Sequence, residues 1–222
     1  MRALLVANAD DGDAGFVGHH LRKQGYAFTE ALREHPGEWP GLDGIDLVLT
    51  LGSEWSVFWP HVAEFVAPEA ELVRAIQRRG TPLFAICYGS QLVAHALGGA
   101  VTRAAAAEIG WVEIDSDEPA IAAGPWLEWH SDVVTLPPGA VELARNAMGP
   151  QAWRVGRTLA TQFHPEATET ILARWTAGGG GELAEVGLTR DELMAQTRAD
   201  VRAGRKHAEG LTDWFLEHVA GS

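Results

Sequence analysis

The sequence contains a single cysteine, Cys87, at a point where an apolar segment passes into a helical pattern. The apolar run 82–86 is predicted to be a buried strand, and 90–97 is predicted to be a helix that begins close after the thiol. A reactive residue on so sharp a strand-to-helix turn is typical of a nucleophile elbow. The helix N-terminus supplies free N–H groups and a positive dipole end, which favour a thiolate. Cys87 is therefore a candidate nucleophile, although free cysteines more often serve as small buried apolar residues.

A second motif, the run 162–166 (Gln-Phe-His-Pro-Glu), brings the groups that a thiol nucleophile needs. It lies at the end of a strand predicted over 158–163. His164 could hold and return the proton of the thiol, and Glu166 could fix the tautomer of the imidazole. A lone histidine in a turn is usually a solvated side chain. Here the order along the chain, an elbow cysteine followed by histidine and glutamate, favours a catalytic triad.

The elements that must position these groups alternate between strand and helix in the first half of the chain. Strands are predicted at 3–7, 26–32, 46–51 and 82–86, and helices at 16–24, 69–79 and 90–97. Strands separated by helices of this length indicate a mostly parallel sheet with right-handed crossovers. The sequence therefore predicts an α/β fold.

The second half of the chain has a different pattern, with short β segments broken by turns. These segments are predicted at 108–114, 126–129, 133–136, 141–144, 152–155 and 158–163, and a helix at 168–175. A flexible glycine run at 178–181 then leads to a capped helix start at 189–192 and a last amphipathic helix at 211–219. We expect one domain over 1–176, followed over 177–222 by a Gly-rich linker and a C-terminal helical extension.

Charge and composition exclude several classes of function. The chain has 17 basic and 30 acidic residues, a net charge of −13, which argues against nucleic-acid binding and against docking on anionic membranes. No apolar run approaches the ~20 residues of a membrane span, and the N-terminus is predicted to be a strand and not a signal peptide. One cysteine excludes an internal disulfide, so we expect a cytoplasmic protein. No convincing metal-ligand cluster is present, and we expect neither a metal nor another cofactor.

Taken together, the two motifs resemble those of the class I (triad-type) glutamine amidotransferases, which are built around G-[IV]-C-x-G-x-Q and H-P-E. The closest resemblance is to the stand-alone, GMP synthase-like members, and it covers about residues 1–176. The elbow here reads Ala-Ile-Cys-Tyr-Gly-Ser-Gln from 85 to 91. The resemblance implies a flavodoxin-like three-layer fold, with a mostly parallel central sheet, helices on both faces and additional antiparallel β segments.

The resemblance also implies a role for each matching residue. Cys87 would be the nucleophile, His164 the general base and acid, and Glu166 the residue that orients the imidazole. The backbone N–H of Tyr88 would be one oxyanion donor. The family's other donor comes from a Gly-Gly-Pro loop, and this chain has the run 52–54 (Gly-Ser-Glu) at that point.

The substrate-binding residues follow from the same comparison. Gln91 matches the family glutamine that helps to hold the glutamyl group of the substrate. Trp129, His130, Ser131 and Asp132 resemble the loop that contacts its α-amino and carboxylate groups. The run 108–111 (Glu-Ile-Gly-Trp) matches a segment expected to be structural. The oxyanion loop departs from the family pattern at Ser53 and Glu54, where a side chain, a charge and the neighbouring Trp55 enter.

The implied activity is hydrolysis of the side-chain amide of glutamine through a cysteine γ-glutamyl thioester, with ammonia released to a separate synthetase partner. One alternative is a free-standing hydrolase of γ-glutamyl peptides or amides that uses the same triad, and another is a non-catalytic scaffold. Trp55, Trp59, Trp126 and Trp129 could shape a pocket for a substrate larger than glutamine, or could simply be packing residues. A homo-oligomer is also possible.

Overall fold

Apolar runs in the first half of the chain form the parallel part of a central sheet in the computed structural model, which describes residues 1–178 and 181–221. The strands are β1 (Arg2–Ala7), β2 (Ala27–Leu32), β3 (Leu47–Thr50) and β4 (Leu83–Ile86). Every residue of β3 and β4 is buried, as expected for strands that are covered on both faces. The parallel sheet predicted from the alternation of strands and helices is confirmed.

The second half of the chain extends this sheet and adds a smaller one. The further strands are β5 (Ala100–Val112), β6 (Asp115–Ser116), β7 (Trp126–Thr135), β8 (Val141–Asn146), β9 (Gly149–Val155) and β10 (Thr158–Thr161). β10 pairs with β4 in parallel and gives the order β2-β1-β3-β4-β10-β9-β8-β6, whose last part is antiparallel. β5 and β7 form a separate antiparallel pair.

The two largest differences from the predicted strand boundaries in this half concern β7 and β5. The segments expected at 126–129 and 133–136 are one strand, β7, because His130 and Asp132 are buried polar residues that interrupt its apolar pattern. The segment expected to begin at 108 begins at Ala100, since the residues before Glu108 form a polar and alanine-rich stretch without the usual alternation.

Helices cover both faces of the central sheet. The helices are α1 (Gly15–Lys23), α2 (Ala63–Arg79), α3 (Tyr88–Ala96), α4 (Glu169–Trp175), α5 (Gly181–Glu185) and α6 (Arg190–Trp214). Leu5 of β1 belongs to the same buried cluster as Val17 of α1 and Leu211 of α6, whereas Leu4 belongs to the cluster that contains Val73 of α2. Successive residues of one strand thus face opposite helical layers, which is the expected three-layer arrangement.

Two helices are longer than predicted. α2 begins six residues before the predicted start at Glu69 and carries Pro68 within it. The last predicted helix, 211–219, is the end of α6, which continues through a π-helical turn at Phe215–Val219 and packs the ring of Phe215 on Phe84 of β4 at 5.2 Å. The predicted cap is present, because Thr189 and Glu192 form a capping box. Part of the glycine run at 178–181 lies outside the described residues.

Among the helices in the described ranges, none is both long and apolar enough to cross a membrane.

Candidate active site

Cys87 lies on the turn that joins β4 to α3, as the sequence predicts. Its φ of 51° makes it the one non-glycine residue with a positive φ among the residues described, and such a conformation costs about 1–3 kcal/mol. The N–H of Cys87 donates to the carbonyl of Thr161 (2.7 Å), which joins the start of the turn to the neighbouring strand β10. A side chain at Gly89 would not fit, because its Cβ would lie 2.7 Å from Cγ2 of Thr50 and 2.8 Å from the carbonyl oxygen of Thr50.

His164 and Glu166 form a buried pair on the turn after β10. Nδ1 of His164 lies 2.7 Å from Oε1 of Glu166, and the backbone N–H of His164 donates to the carbonyl of Leu127 (2.8 Å). His164 lines the same cavity as Cys87, and its Nε2 has no hydrogen-bond partner in the described part of the chain. Glu166 therefore holds the tautomer with a proton on Nδ1 and leaves Nε2 available to a reacting group.

The charges around His164 favour its protonated form. Burial alone would lower the pKa of His164, but the charges of Glu166 and Cys87 outweigh burial and raise the pKa well above its usual range. An imidazolium in this position can donate a proton to a departing nitrogen.

The loop after β3 carries the expected oxyanion donors, Gly52 and Ser53. A Cβ on Gly52 would lie 3.0 Å from Cε1 of His164 and 3.5 Å from Cβ of Cys87, so this loop lies against both candidate catalytic side chains. The Ser53 hydroxyl accepts the N–H of Trp55 (3.1 Å) and so closes the turn of its own loop. The N–H groups of Gly52 and Ser53 donate to no acceptor within residues 1–178 and 181–221.

The backbone N–H of Tyr88 is the other expected donor. Tyr88 is the first residue of α3, and an N–H at that position has no acceptor within its helix. It directly follows the nucleophile, so the geometry of an elbow presents it beside the carbonyl under attack.

A buried ion pair that the sequence did not reveal holds the oxyanion loop. Arg33, which follows β2 and is fully buried, donates from Nε to Oε2 of Glu69 in α2 at 2.8 Å. The same guanidinium donates to the carbonyls of Leu51 (3.1 Å) and Gly52 (3.2 Å). Arg33 therefore holds the two peptide groups that contain the N–H of Gly52 and the N–H of Ser53. A single arginine after a strand carries no sequence signal for this role.

The predicted substrate loop lies on β7, on the other side of the nucleophile. Trp129, His130, Ser131 and Asp132 all line the cavity with Cys87. Sγ of Cys87 lies 3.8 Å from the carbonyl oxygen of Trp129. Asp132 contacts the hydroxyl of Ser56, and its Oδ1 lies 3.7 Å from the guanidinium of Arg103.

A second group of three ionisable side chains, His130, Glu108 and Glu128, supports this loop. His130 donates from Nδ1 to the carbonyl of Asp132 (3.0 Å), while its Nε2 lies 3.0 Å from Oε2 of Glu108 and 3.3 Å from Oε2 of Glu128. Burial lowers the pKa of His130, but the two carboxylates outweigh burial and raise the pKa to about 10. Together these three side chains could hold a metal ion, a cluster that the sequence did not indicate. Neither carboxylate oxygen of Glu128 has a hydrogen-bond partner in the described part of the chain. The run 108–111, expected to be structural, thus contributes Glu108 to the support of the substrate loop.

Gln91 is buried in α3 and lines the cavity, as expected from its match to the family motif. Its side-chain amide donates to Oε1 of Gln162 (3.3 Å), and Nε2 of Gln162 lies 3.6 Å from Sγ of Cys87. The sequence placed Gln162 only as a neighbour of His164, and the structure shows that it reaches the thiol.

Aromatic residues form much of the cavity wall. Trp55, Trp59 and Trp129 line a cavity of about 1000 Å³, so three of the four candidate tryptophans lie at the pocket. Trp126 does not, because it is 1% exposed and stacks on Phe163 at 4.4 Å. Trp175, which sequence reasoning treated only as a helix end, packs its ring edge-on against His164 at 4.9 Å.

The structure therefore brings most of the candidate residues together. Those that line one cavity are Gly52, Ser53, Cys87, Gln91, Trp129, His130, Ser131, Asp132 and His164. Glu166 and Tyr88 are not among the lining residues; Glu166 contacts Nδ1 of His164, and Tyr88 directly follows Cys87. Residues 60–174 match the sequence profile of the family described as glutamine amidotransferase class-I. This chain belongs to that family.

Curated class I amidotransferase relatives are similar over part of their length. A GMP synthase [glutamine-hydrolyzing] from Mycobacterium marinum is 32% identical over 224 residues, which covers 91% of this chain and 40% of that protein. The GMP synthase [glutamine-hydrolyzing] from Thermomicrobium roseum is 38% identical over 119 residues, which covers 50% of this chain and 23% of that protein. This chain thus spans less than half the length of these relatives. The predicted enzyme class, a cysteine-dependent amidohydrolase of the class I amidotransferase family, is confirmed.

Solved amidotransferase structures share the fold. A glutamine amidotransferase from Thermotoga maritima superimposes with a TM-score of 0.86 at 23% identity, over 100% of this chain and 99% of that one. One from Methylobacillus flagellatus gives a TM-score of 0.82 at 21% identity, over 98% and 94% of the two chains. The predicted flavodoxin-like, three-layer class I amidotransferase fold with additional antiparallel β segments is confirmed.

Proposed function

We propose that this chain hydrolyses the side-chain amide of glutamine through a γ-glutamyl thioester on Cys87 and supplies the ammonia to a partner synthetase. The observation that carries the proposal is the buried His164–Glu166 pair (2.7 Å) in one cavity with a thiol on a strained elbow. A cysteine, an imidazole and an orienting carboxylate are the groups that nucleophilic amide cleavage requires.

The reaction begins when the Cys87 thiolate attacks the amide carbon. The N–H groups of Ser53 or Gly52 and of Tyr88 hold the oxyanion, and loss of one such donor typically costs about 2.7–4 kcal/mol in the barrier. His164 donates its Nε2 proton to the departing nitrogen, the C–N bond breaks and ammonia leaves. A water molecule then gives a proton to Nε2 and attacks the thioester, and glutamate departs as the thiolate is regenerated.

The substrate loop offers complementary charges for the amino-acid end of glutamine. Asp132 and Arg103 lie side by side in the cavity, with 3.7 Å between Oδ1 of Asp132 and Nη1 of Arg103. Asp132 suits the α-ammonium group, and Arg103, whose side chain is 58% exposed, suits the α-carboxylate. Gln91 and the backbone at Trp129 lie where they can hold the glutamyl chain. Arg103 was not a candidate from the sequence, because its segment matched no motif.

The synthetase partner is inferred from the relatives. They are GMP synthases of the glutamine-hydrolysing type, and this chain corresponds to 40% or less of the two compared above. We infer from these relatives that the ammonia released at Cys87 is consumed by a synthetase. Since the chemistry needs Cys87 as a free thiol, we also place the protein in the reducing cytoplasm.

A free-standing γ-glutamyl amide hydrolase is the second candidate function. The observation that favours it is the cavity of about 1000 Å³, with Trp55 and Trp59 in its wall, which exceeds the needs of glutamine. The intact arrangement of Cys87, His164 and Glu166 weighs against a non-catalytic scaffold.

Release of glutamate and ammonia from L-glutamine tests the acyl transfer. Wild type, Cys87→Ser and Cys87→Ala should be compared with and without extracts that contain ammonia-dependent synthetases, and an electrophilic glutamine analogue should label wild type but not Cys87→Ala. Hydrolysis by Cys87→Ser at the wild-type rate would refute the proposal. Activity that rises only with a synthetase supports ammonia supply, and partner-independent cleavage of larger amides supports the second candidate.

A further inference from the structure

Three carboxylates line the cavity on one side of the nucleophile. Asp10, Glu34 and Glu54 lie in the loops that follow β1, β2 and β3, and Cys87 follows β4. The carboxyl ends of parallel strands meet at one edge of a sheet, and the strand order here is β2-β1-β3-β4-β10. All three acidic loops therefore lie on the β3 side of Cys87, and His164, which follows β10, lies on the opposite side.

None of these carboxylates forms an ion pair within the described ranges, although the charge of Glu34 also acts on buried Arg33, which is paired with Glu69. Asp10 and Glu54 are exposed and have no ion-pair or hydrogen-bond partner in the described ranges. Glu34 accepts only neutral donors, Nδ2 of Asn8 at 2.7 Å and the N–H of Ala9 at 3.2 Å. Apart from His35, no lining residue of these three loops can carry a positive charge.

Both arginines of the cavity are engaged elsewhere. Arg103 pairs with Asp132 on the substrate loop, and Arg174 pairs with Asp11 at 2.7 Å. The cavity therefore keeps an excess of negative charge on the side of the β1, β2 and β3 loops. A cleft lined by one sign of charge concentrates ligands of the opposite sign.

Aromatic rings reinforce this preference for a cation. Trp55 and Trp59 line the same cavity as Glu54 and belong to the same loop. The Trp55 ring is held by stacking on Phe65 at 5.2 Å between centroids. The face of a tryptophan attracts ammonium groups, and a carboxylate beside it strengthens the site.

The cavity has room for a leaving group far larger than ammonia. Its volume of about 1000 Å³ lies at the upper end of pockets that enclose drug-sized ligands. Nε2 of His164, a buried atom without a partner, reaches this cavity and marks where the departing nitrogen receives its proton. Neighbouring strands are ~4.8 Å apart, so the loops of β3 and β1 begin roughly 5 and 10 Å from the nucleophile strand, within reach of an aliphatic diamine.

We propose that this chain hydrolyses γ-glutamyl amides of aliphatic diamines and polyamines in preference to uncharged or acidic γ-glutamyl amides. The inference rests on the acyl transfer proposed above and deepens its second candidate function, because it identifies the leaving group as a charged amine in place of ammonia. Cys87 attacks the γ-carbonyl carbon, the C–N bond breaks, and the amine nitrogen takes the proton of His164. The distal ammonium group lies among Glu54, Asp10 and the tryptophan faces. Water then hydrolyses the thioester to glutamate, so no oxidant or other co-reactant is required.

Three substrates that differ in one terminal group test this proposal. They are γ-glutamyl-1,4-diaminobutane, its uncharged counterpart γ-glutamyl-n-pentylamide, and the acidic γ-glutamyl-5-aminopentanoate, with glutamate release measured for each at low ionic strength. We expect kcat/KM for the diamine amide to exceed that for the pentylamide by roughly tenfold or more, to exceed that for the acidic amide further, and to fall as salt is added.

Charge-removing variants assign the preference to the acidic loops. Glu54→Gln and Asp10→Asn should each reduce the ratio of diamine to pentylamide cleavage several-fold, and the double variant should bring it close to one. Because the ratio is taken within one protein preparation, partial unfolding cancels. Glu217→Gln, at a 78% exposed position of the C-terminal helix that does not line the cavity, is the matched control and should keep the wild-type ratio.

The outcomes separate this inference from the proposed function. Cys87-dependent cleavage of glutamine and of all three amides, with no preference for the diamine, would overturn the inference and leave the acyl transfer standing. If the isolated chain cleaves none of the amides but Cys87 is still labelled by the glutamine analogue, the inference is wrong and ammonia supply to a synthetase remains. Failure of labelling and of every cleavage would overturn both.

Discussion

Replacement of Arg33 should separate the stability of the fold from the geometry of the oxyanion loop. Arg33 is fully buried against Glu69, itself 1% exposed, and donates to the carbonyls of Leu51 and Gly52. In Arg33→Met the carboxylate of Glu69 keeps only the hydroxyl of Thr50 (3.0 Å) as a donor. Removing one partner of a buried ion pair typically costs about 3–5 kcal/mol.

That loss is a large part of the 5–15 kcal/mol by which a domain is usually stable. A second variant, Arg33→Met combined with Glu69→Leu, removes both charges, and substitution of a whole buried pair by apolar residues is often neutral. We therefore expect urea denaturation to show a loss of about 3–5 kcal/mol for the single variant and recovery of most of it in the double variant.

Activity should not recover with stability. Neither variant can hold the carbonyls of Leu51 and Gly52, so the N–H groups of Gly52 and Ser53, which share these peptide groups, lose their fixed direction. Loss of a whole oxyanion donor lowers kcat by about 10²–10³, and we expect a decrease of roughly 10- to 100-fold in glutamate release by the double variant. Arg79→Met, at a half-exposed ion pair with Asp43, is the control and should change stability by no more than ~0.5 kcal/mol. A stable double variant with wild-type kcat would refute the positioning role of Arg33.

Three further substitutions test the triad and the elbow. Glu166→Gln removes the carboxylate that raises the pKa of His164, so the imidazole should lose its proton at lower pH; the alkaline limb of the kcat profile should move to lower pH, and kcat should fall by about 10²–10⁴. Gly52→Ala places a Cβ 3.0 Å from Cε1 of His164, and a shift of the ring by a few tenths of an ångström should lower kcat about tenfold with little change in the unfolding midpoint. Gly89→Ala places a Cβ 2.7 Å from the Thr50 side chain and should destabilise the fold by about 1–3 kcal/mol in urea denaturation.

The same measurements contain the results that would contradict these expectations. An unchanged alkaline limb in the Glu166 variant would mean that this carboxylate does not control the protonation of His164. Gly37→Ala is a suitable control for both glycine substitutions, because no atom lies within 4 Å of the added Cβ. If Gly52→Ala and Gly89→Ala behave as Gly37→Ala does, the close contacts at the loop and at the elbow have no functional consequence.

The parts of this site that short motifs encode could be predicted from the sequence. Cys87 lies between a strand and a helix that have clear hydrophobic periodicities, and His164 lies in a run whose order fits only a few chemistries. Gly89 falls at the glycine of the family's elbow motif, and the close approach of Thr50 explains why a side chain does not fit there. Local pattern was sufficient in these cases because each residue's role depends on the turn that contains it.

Residues whose role depends on distant contacts could not be predicted in this way. Arg33 acts through Glu69, 36 positions later in the chain, and Arg103 acts beside Asp132 in a neighbouring strand. Trp175 reaches His164 only because α4 folds back after β10. A single sequence gives residue types and their spacing. These side chains meet because two strands or two helices pack together, and the local sequence around each residue does not indicate that packing.

Buried charged side chains hold both loops beside the thiol, the oxyanion loop and the substrate loop. They therefore affect how precisely the positions of these loops are determined. Arg33 and Glu69 fix the oxyanion loop, while Glu108, His130 and Glu128 fix the substrate loop, with the side chains of His130 and Glu128 at most 1% exposed. Buried ionic groups add little net stability because their desolvation offsets their attraction. They do penalise every arrangement in which a partner is lost, so each loop has one favoured position. Apolar packing alone would tolerate small shifts of these loops, and acyl transfer at Cys87 would not.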